Sequence, residues 1–447
     1  MKRIFFYCSL LVAGCWVLSA FVLKANPTGP MQQQAAPLFE QQVEQNRTQM
    51  FQQGKQVFRF DTFGDEAFWG GALHLHQAIA GEKNGGVGPG VSPKTALSVG
   101  LKVDADALPA ELVQQIKQGK VNLDDPATTL ALLKLNAVLG VTGHFDGQGR
   151  LNSLGIQCAF CHSTVDDSFS PGIGHRLDGW PNRDLNIGAI VSLSPNLQPV
   201  SDLLGVDVPT VKKVLSSWGP GKYDAELNVD GKAARPDGKA AATLIPPAFG
   251  LAGVSNHTWS GSRATIPYWN AYVAVTQMHG SGTFIDKRLD VPSNPIAAKT
   301  KLGETRTTPD QVTAKLAALQ YYQLSLPAPK PPDTTFDHAA ASQGQQLFAT
   351  KAKCATCHVP PLFTEPGWNL HTAEEIGVDD FQAKRSPGEQ SYRTAPLRGL
   401  FAHSKGGFYH DGRFATLAEV VEHYNQHLNL GLTQQEKTQL VEYLKSL

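Results

Sequence analysis

Spare cysteine is the first thing this chain lacks. Of its six cysteines, Cys8 and Cys15 lie in an apolar leader, and the remaining four are Cys158, Cys161, Cys354 and Cys357. Each of those four belongs to a Cys-x-x-Cys-His sequence, so no thiol is left for the disulfides that an exported chain normally carries. Methionine is scarcer still, with Met1, Met31, Met50 and Met278 the only four. Net charge is missing too: 39 Lys plus Arg balance 39 Asp plus Glu, which removes the electrostatic basis for binding nucleic acid or steering a charged partner from afar. Strand-like alternation is nowhere as strong as the helical patterns, so the chain reads as mainly α. At 447 residues it exceeds what one core usually serves.

The one long apolar run opens the chain. "MKRIFFYCSLLVAGCWVLSAFVLKA" sets two basic residues before an apolar stretch from Ile4 to Leu23, the pattern of an export signal. Cleavage after Ala25 is the preferred reading. An uncleaved single anchor or a lipid anchor at Cys15 of "VAGC" are the alternatives. All three place the bulk of the chain outside the cytoplasm, in the periplasm, with the membrane reached only through residues 1–25.

The sequences "QCAFCH" (157–162) and "KCATCH" (353–358) carry the chemistry. Cysteines at i and i+3 on a helical turn project from one face, where both thiols meet the two vinyl groups of one porphyrin while the next histidine reaches the iron. A thioredoxin-like pair has no need of the histidine. A zinc site wants four ligands from two close pairs, and these pairs are far apart in sequence. The expectation is two covalently bound haem c groups, attached at Cys158 and Cys161 and at Cys354 and Cys357, with His162 and His358 as iron ligands.

Around these motifs the chain divides by composition. Residues 26–140 form an N-terminal extension, Gln-rich to about residue 60 and helical in "PAELVQQIKQGK" and "TTLALLKLNAVLGV"; His74 and His76, at i and i+2, do not share a helix face and read as structural. Residues 141–325 hold the first motif. Four prolines between Pro327 and Pro332 mark a stiff linker over 326–335. Residues 336–447 hold the second motif and end in two helices, each opened by a capping box: Thr416 with Glu419, and Thr433 with Glu436. Leu417, Val420, Val421, Tyr424 and Leu428 form one helical stripe, and Leu440, Val441, Leu444 and Leu447 another.

The scarcity of methionine bears on the irons. A simple electron carrier caps its haem with methionine, and none follows the second motif. Tyr424 shares the apolar stripe with Val420 and Val421 and is the candidate to face the second iron; His423, His427 and a purely structural Tyr424 are the alternatives. Near the first motif, His175 in "SPGIGHRLDGW" is either a distal iron ligand or a loop histidine bonded to a propionate. Arg176 and Arg183 carry forked donors suited to propionates.

The stretches "CATCHVPPLFTEPGWNLHT" and "RTAPLRGLFAHSKGGFYHDGRFATLAEVVEHYN" resemble the C-terminal haem domain of the bacterial di-haem cytochrome c peroxidase and MauG superfamily. "TWSGSRATIPYWN" and "IGHRLDGWPNRDLN" are looser matches around the first motif, and the length before residue 140 is also similar to the rubber-cleaving di-haem oxygenases. The resemblance implies two cytochrome c-like domains with the haems on either side of their interface. The first would meet the oxidant and the second relay electrons, with Trp259 between them and His410 supporting the second. Tyrosine at 424 follows the MauG branch, whereas the peroxidases have methionine. The family's distal glutamate has no counterpart between Trp259 and Leu289, and His279 in "TQMHGSG" falls near its place, with a pKa suited to acid–base work near neutrality. Family members also often hold a calcium ion between the domains, although no run of oxygen ligands marks one here.

The function expected on these grounds is reduction of hydrogen peroxide in the periplasm, with electrons from a small redox protein such as a cytochrome c or cupredoxin. The alternatives are oxidation of a protein or organic substrate, as in MauG-like and oxygenase-like members, and a plain di-haem electron carrier.

Overall fold

The computed structural model describes residues 30–261, 264–367, 369–385 and 390–447. The leader at 1–25 lies outside the described residues, and no helix among those described is long and apolar enough to cross a membrane. The chain divides into two units, residues 1–48 and residues 49–447. In the first, the side chains from Leu38 to Thr48 on helix α1 (Pro30–Phe60) are exposed, as a Gln-rich segment without an apolar stripe requires.

The second unit is mainly helical, as expected. In the extension the longer helices after α1 are α2 (Ala110–Lys117) and α3 (Pro126–Lys134). The pattern read as one helix over 128–141 stops at Lys134, and the chain turns at Asn136, whose φ is 52°. Strand β1 (Val141–Phe145) then pairs antiparallel with β2 (Leu151–Ile156), with Val141 opposite Ile156 and an irregularity at His144 and Phe145. The sequence reading missed this hairpin. Its function in the fold is plain: β2 ends one residue before the first Cys-x-x-Cys-His turn. Gly140, at φ 78°, touches the Phe160 backbone so closely that any side chain there would collide with it. The hairpin thereby holds the motif in place.

The sheet content is otherwise slight, since every strand among the described residues belongs to a two-stranded ribbon. Further helices include α4 (Ile187–Ser192), α5 (Val208–Trp218), α6 (Ile266–Tyr272), α7 (Leu316–Ser325), α8 (His338–Ala349), α9 (Leu417–His427) and α10 (Gln434–Lys445).

Both C-terminal helices start where the capping residues placed them. Thr433 and Glu436 form the full reciprocal box, whereas Thr416 caps α9 but the Glu419 carboxylate accepts from the Ala415 N–H, one residue earlier than the motif predicts. On α9 only Val421 is buried and Leu428 is exposed; on α10 Tyr443 joins Leu440 and Leu444 in the core. Helix α8 packs on α10 through Gly344, which leaves no room for a side chain against the Gln439 carbonyl.

Three apolar clusters organise the second unit. One joins Trp69, Leu75, Leu133 and Val138 of the extension to Phe160, Ile190, Leu215 and Trp218, so a single core runs across residue 140. A second gathers Phe58, Phe63, Tyr272, Val275, Leu319 and Tyr322. The third lies wholly within the C-terminal segment and includes Phe348, Leu400, Val421, Leu440 and Tyr443.

Charged groups fasten that last segment to the rest. Arg385 is fully buried between Asp224 at 2.9 Å and Asp230 at 2.8 Å. Arg235 pairs with Asp379 and Asp411, the Leu244 N–H donates to the His410 carbonyl at 2.7 Å, and Arg183 donates to the Lys405 carbonyl. Removing one partner of a buried pair leaves an uncompensated charge. Arg385→Met is expected to lose about 3–5 kcal/mol of stability in denaturant unfolding of the holoprotein; a loss under about 1 kcal/mol, typical of an exposed pair, would contradict this account of the contact.

Candidate haem sites

The first motif forms a short helical turn, Ala159–His162, and its three functional side chains open into one cavity. This cavity measures about 330 Å³ and is walled mostly by apolar side chains, within the roughly 300–1,000 Å³ usual for small-molecule sites. Much of one wall comes from the extension, through Trp69, Leu75, Ile79, Val99, Leu133 and Val138. Sequence reasoning found no motif in that segment because its contribution is shape and apolarity, which single residues do not announce.

Burial sets the protonation of the motif. It pushes the Cys158 and Cys161 thiols up to about 12, so both stay neutral, whereas metal ligation by sulfur needs thiolates. Burial also lowers the His162 pKa to about 4, keeping the imidazole neutral and able to coordinate. His162 Nδ1 is buried with no formed hydrogen bond, and the Pro246 carbonyl is the neighbour that favours its protonated form. All four motif cysteines are free, and no potential metal cluster among the described residues joins the two pairs.

The cavity is lined with further unpartnered polar atoms: Gln157 Oε1, Glu226 Oε2, His257 Nδ1, Trp269 Nε1 and Gln382 Oε1 are buried without hydrogen bonds. Orphaned groups of this kind are rare in folded proteins and each calls for an explanation. Arg393 also lines the cavity; its guanidinium donates to the Thr258 and Asn256 carbonyls, and burial lowers its pKa to about 10. It has no carboxylate partner among the described residues. Apolar walls, neutral thiols, a neutral imidazole and an uncompensated guanidinium fit a haem with its propionates.

At the second motif, Cys354–Thr356 form a 3₁₀ turn entered through Lys353 at φ 56°. His358 Nδ1 pairs with the Phe363 carbonyl at 3.1 Å, and burial lowers its pKa to about 4. The pairing fixes the tautomer and leaves Nε2 for a metal. Across from the motif, the Tyr424 phenol is close enough to sense the Cys357 and Cys354 sulfurs, and desolvation raises its pKa. His423 Nε2 instead meets the Ile376 carbonyl at 2.9 Å, and His427 Nε2 the Glu375 carbonyl at 3.1 Å. Of the three side chains weighed for this position, the two histidines are tied to loop carbonyls, whereas the Tyr424 hydroxyl faces Tyr409.

Other expected site residues fall differently. Trp259 lines the first cavity and donates its indole N–H to the Leu244 carbonyl at 2.9 Å, while the Leu244 N–H bonds His410. It therefore stands between the cavity and the C-terminal segment. His410 is buried, stacks on Tyr392 with ring centroids 5.1 Å apart, and is held near a pKa of about 4 by desolvation.

His175 does not reach the cavity. Its side chain is 52% exposed and its Nδ1 pairs with Asp106 at 2.8 Å, because the Gly-rich loop lays it on the surface. His279 does not line the cavity either. It stacks on Phe68 at 3.7 Å with Trp69 edge-on beside it, and burial lowers its pKa to about 4. The segment after Trp259 instead sends Gln277 into the cavity, where its Oε1 accepts from the Tyr223 hydroxyl at 2.5 Å.

Arg176 pairs with Asp104 at 2.9 Å and keeps a buried Nη1 unpartnered, and Arg183 is buried with its Nε unpartnered. The acidic groupings are Cys357–Glu365–His371 and Asp379–His410–Asp411; the second is already answered by Arg235 and Arg413. Neither is the all-oxygen cage that calcium wants.

A segment of this chain is similar to a protein of the MauG type. Over 192 residues it is 29% identical to methylamine utilization protein MauG of Methylorubrum extorquens, covering 40% of this chain and 54% of MauG. The chain thus spans about half the length of that curated relative. No protein-family model matches. Among solved structures, a MauG-like protein associated with microbial copper homeostasis is 19% identical over 50% of this chain and 79% of its own, with a TM-score of 0.31. Kuenenia stuttgartiensis hydrazine synthase is 17% identical over 50% and 86%, with a TM-score of 0.27. TM-scores this low establish no shared fold.

Covalent attachment is directly measurable. Replacing Cys158 and Cys161 together by Ser is expected to remove one haem from the denatured protein's mass, and replacing Cys354 and Cys357 the other, each halving haem stain on a denaturing gel. An unchanged mass in either double variant would refute attachment at that motif.

Proposed function

We propose that this chain is an exported di-haem c-type oxidoreductase of peroxidase type, in which the first site meets hydrogen peroxide and the second receives electrons from a small redox protein. The observation that carries this reading is the first motif: its two cysteines and its histidine all line one largely apolar cavity of about 330 Å³. Haem bound at such sites supplies iron that exchanges electrons and, where a coordination position is open, binds a small oxidant.

The chain's own residues do the rest. Cys158 and Cys161 would hold the first haem, His162 its iron and Arg393 a propionate. Cys354, Cys357, His358 and Tyr424 would serve the second. The apolar wall from Trp69 to Val138 keeps bulk water from the first site, which strengthens each polar interaction inside. Trp259, hydrogen-bonded toward the His410 segment, lies where an aromatic bridge between the sites is wanted.

A second reading, oxidation of a protein side chain or an organic molecule, is favoured by Tyr424, the residue of the MauG branch. Steady-state assays separate the two. Peroxide-dependent oxidation of a reduced cytochrome c or cupredoxin supports the first reading. Turnover only with an organic or protein substrate supports the second, and irons that are all six-coordinate by EPR with no peroxide reactivity would leave an electron carrier. His162→Ala is expected to reduce peroxide turnover to background while retaining the second haem's spectrum. Tyr424→Phe is expected to change the second haem's EPR signal and leave the first unchanged.

A further inference from the structure

We propose that Glu226 is the proton donor of the first cavity and that the cluster of Asp224, Asp230 and Arg385 behind it restores its proton. This rests on the peroxidase-type reading above. Glu226 lies far from the segment in which the resemblance sets a distal glutamate, so nothing in the motif alignment points to it.

The geometry singles it out. Glu226 lines the cavity, and its Oε2 is shielded from solvent with no hydrogen-bond partner. The other titratable groups nearby are committed elsewhere. The Tyr223 hydroxyl donates to Gln277 and the Tyr272 hydroxyl to the Ala225 carbonyl at 2.8 Å, and burial drives both phenols upward. His279 is stacked between aromatic rings outside the cavity. His257 does line the cavity, but burial lowers its pKa to about 4, so near neutrality it is the neutral imidazole and has no imidazolium proton to give.

Behind Glu226 the charges do not balance. Arg385 is the one guanidinium facing Asp224, Glu226 and Asp230; it bonds Asp224 at 2.9 Å, Asp230 at 2.8 and 3.0 Å, and the Lys232 carbonyl at 3.0 Å. Lys232 is 3.9 Å from Asp230, with a side chain 52% exposed, and so reaches solvent. Three carboxyls share this one guanidinium, so burial is only partly offset by charge pairing. Asp224 is accordingly raised to about 7, chiefly by desolvation, and its Oδ2 has no partner. Glu226 is raised by desolvation as well, with Arg385 and the Gln382 amide opposing. Half-exposed Lys232 is where this cluster meets solvent; buried Asp230 and Asp224 share Arg385, and Asp224 stands two positions before Glu226 in the chain.

Reduction of hydrogen peroxide to two waters breaks the O–O bond and consumes two electrons and two protons. The electrons come from the reduced donor protein. Glu226 gives one proton, from Oε2, to the oxygen that leaves as water, and the second proton comes from solvent. The Glu226 carboxylate then regains its proton from Asp224.

The test compares wild-type holoprotein with Glu226→Gln and Glu226→Asp by infrared difference spectroscopy and peroxide turnover, with haem content confirming each fold. A protonated carboxyl band is expected in the wild type at neutral pH and absent from the Gln variant. Turnover in that variant is expected to fall about 10²–10⁴-fold, the usual scale of lost acid–base catalysis, with partial rescue by Asp. Because only the protonated form donates, wild-type activity falls as pH rises through the Glu226 titration; the Gln variant loses that limb. Should the Gln variant lose haem, the Asp variant carries the test, its retained band and intermediate rate supporting the assignment and a wild-type rate overturning it. A Gln variant with unchanged rate and pH profile, or a wild type without the band, overturns the assignment of Glu226 alone. A wild type that shows the band but never turns over peroxide overturns the parent reading and the donor role with it.

Discussion

Burying two imidazoles, each behind its own pair of thiols, constrains everything else in this molecule. An imidazole surrounded by apolar side chains loses the solvation that supports its cation, and both His162 and His358 are lowered to about 4. The same burial keeps the first pair of thiols protonated. A neutral imidazole and neutral thiols suit thioether attachment and iron ligation, and they suit little else. Such a site cannot be built on a surface loop, so the chain has to wrap each motif in a core.

The two wrappings differ in where their cores come from. The second motif lies in a small helical segment with its own core, where α8, α9 and α10 supply Phe348, Val421, Leu440 and Tyr443. The first motif has no such self-sufficient bundle. Its core draws on Trp69, Leu75, Leu133 and Val138 from the preceding hundred residues, and the β1–β2 hairpin steers the chain into the cysteine turn through the close contact at Gly140. The extension is thus part of the first site's enclosure.

Between the two segments, rings such as Trp180 on Phe401 and Phe249 on His403 pack together, and charged and polar contacts add to them. Arg385 with Asp224 and Asp230, Arg235 with Asp379 and Asp411, and the Trp259–Leu244–His410 hydrogen-bond series all cross from one to the other. Buried ion pairs add little net stability over an apolar contact, but they fix orientation. The same pairs leave a surplus of buried carboxyl groups beside the first cavity, so one cluster can serve both orientation and proton storage.

Much was legible in the linear chain. The paired motifs named their cysteines and histidines because the chemistry is local: four consecutive positions suffice to aim two thiols and an imidazole. The helices α9 and α10 were legible for a similar reason, since a cap and a 3.6-residue stripe are short-range signals. Tyr424 could be singled out by its place on the stripe, although only its proximity to the Cys354 and Cys357 sulfurs, with His423 and His427 tied to loop carbonyls, separates it from its neighbours. The β1–β2 hairpin escaped notice because its strands are short and weakly patterned. His175 and His279 looked suitable by spacing from their motifs, yet loop geometry sets one on the surface and ring stacking holds the other outside the cavity. Glu226, Gln277 and His257 reach the same cavity from positions that no spacing rule connects. Covalent chemistry and local helix signals are written in neighbouring residues, whereas the contents of a cavity depend on which distant side chains packing brings to a common wall.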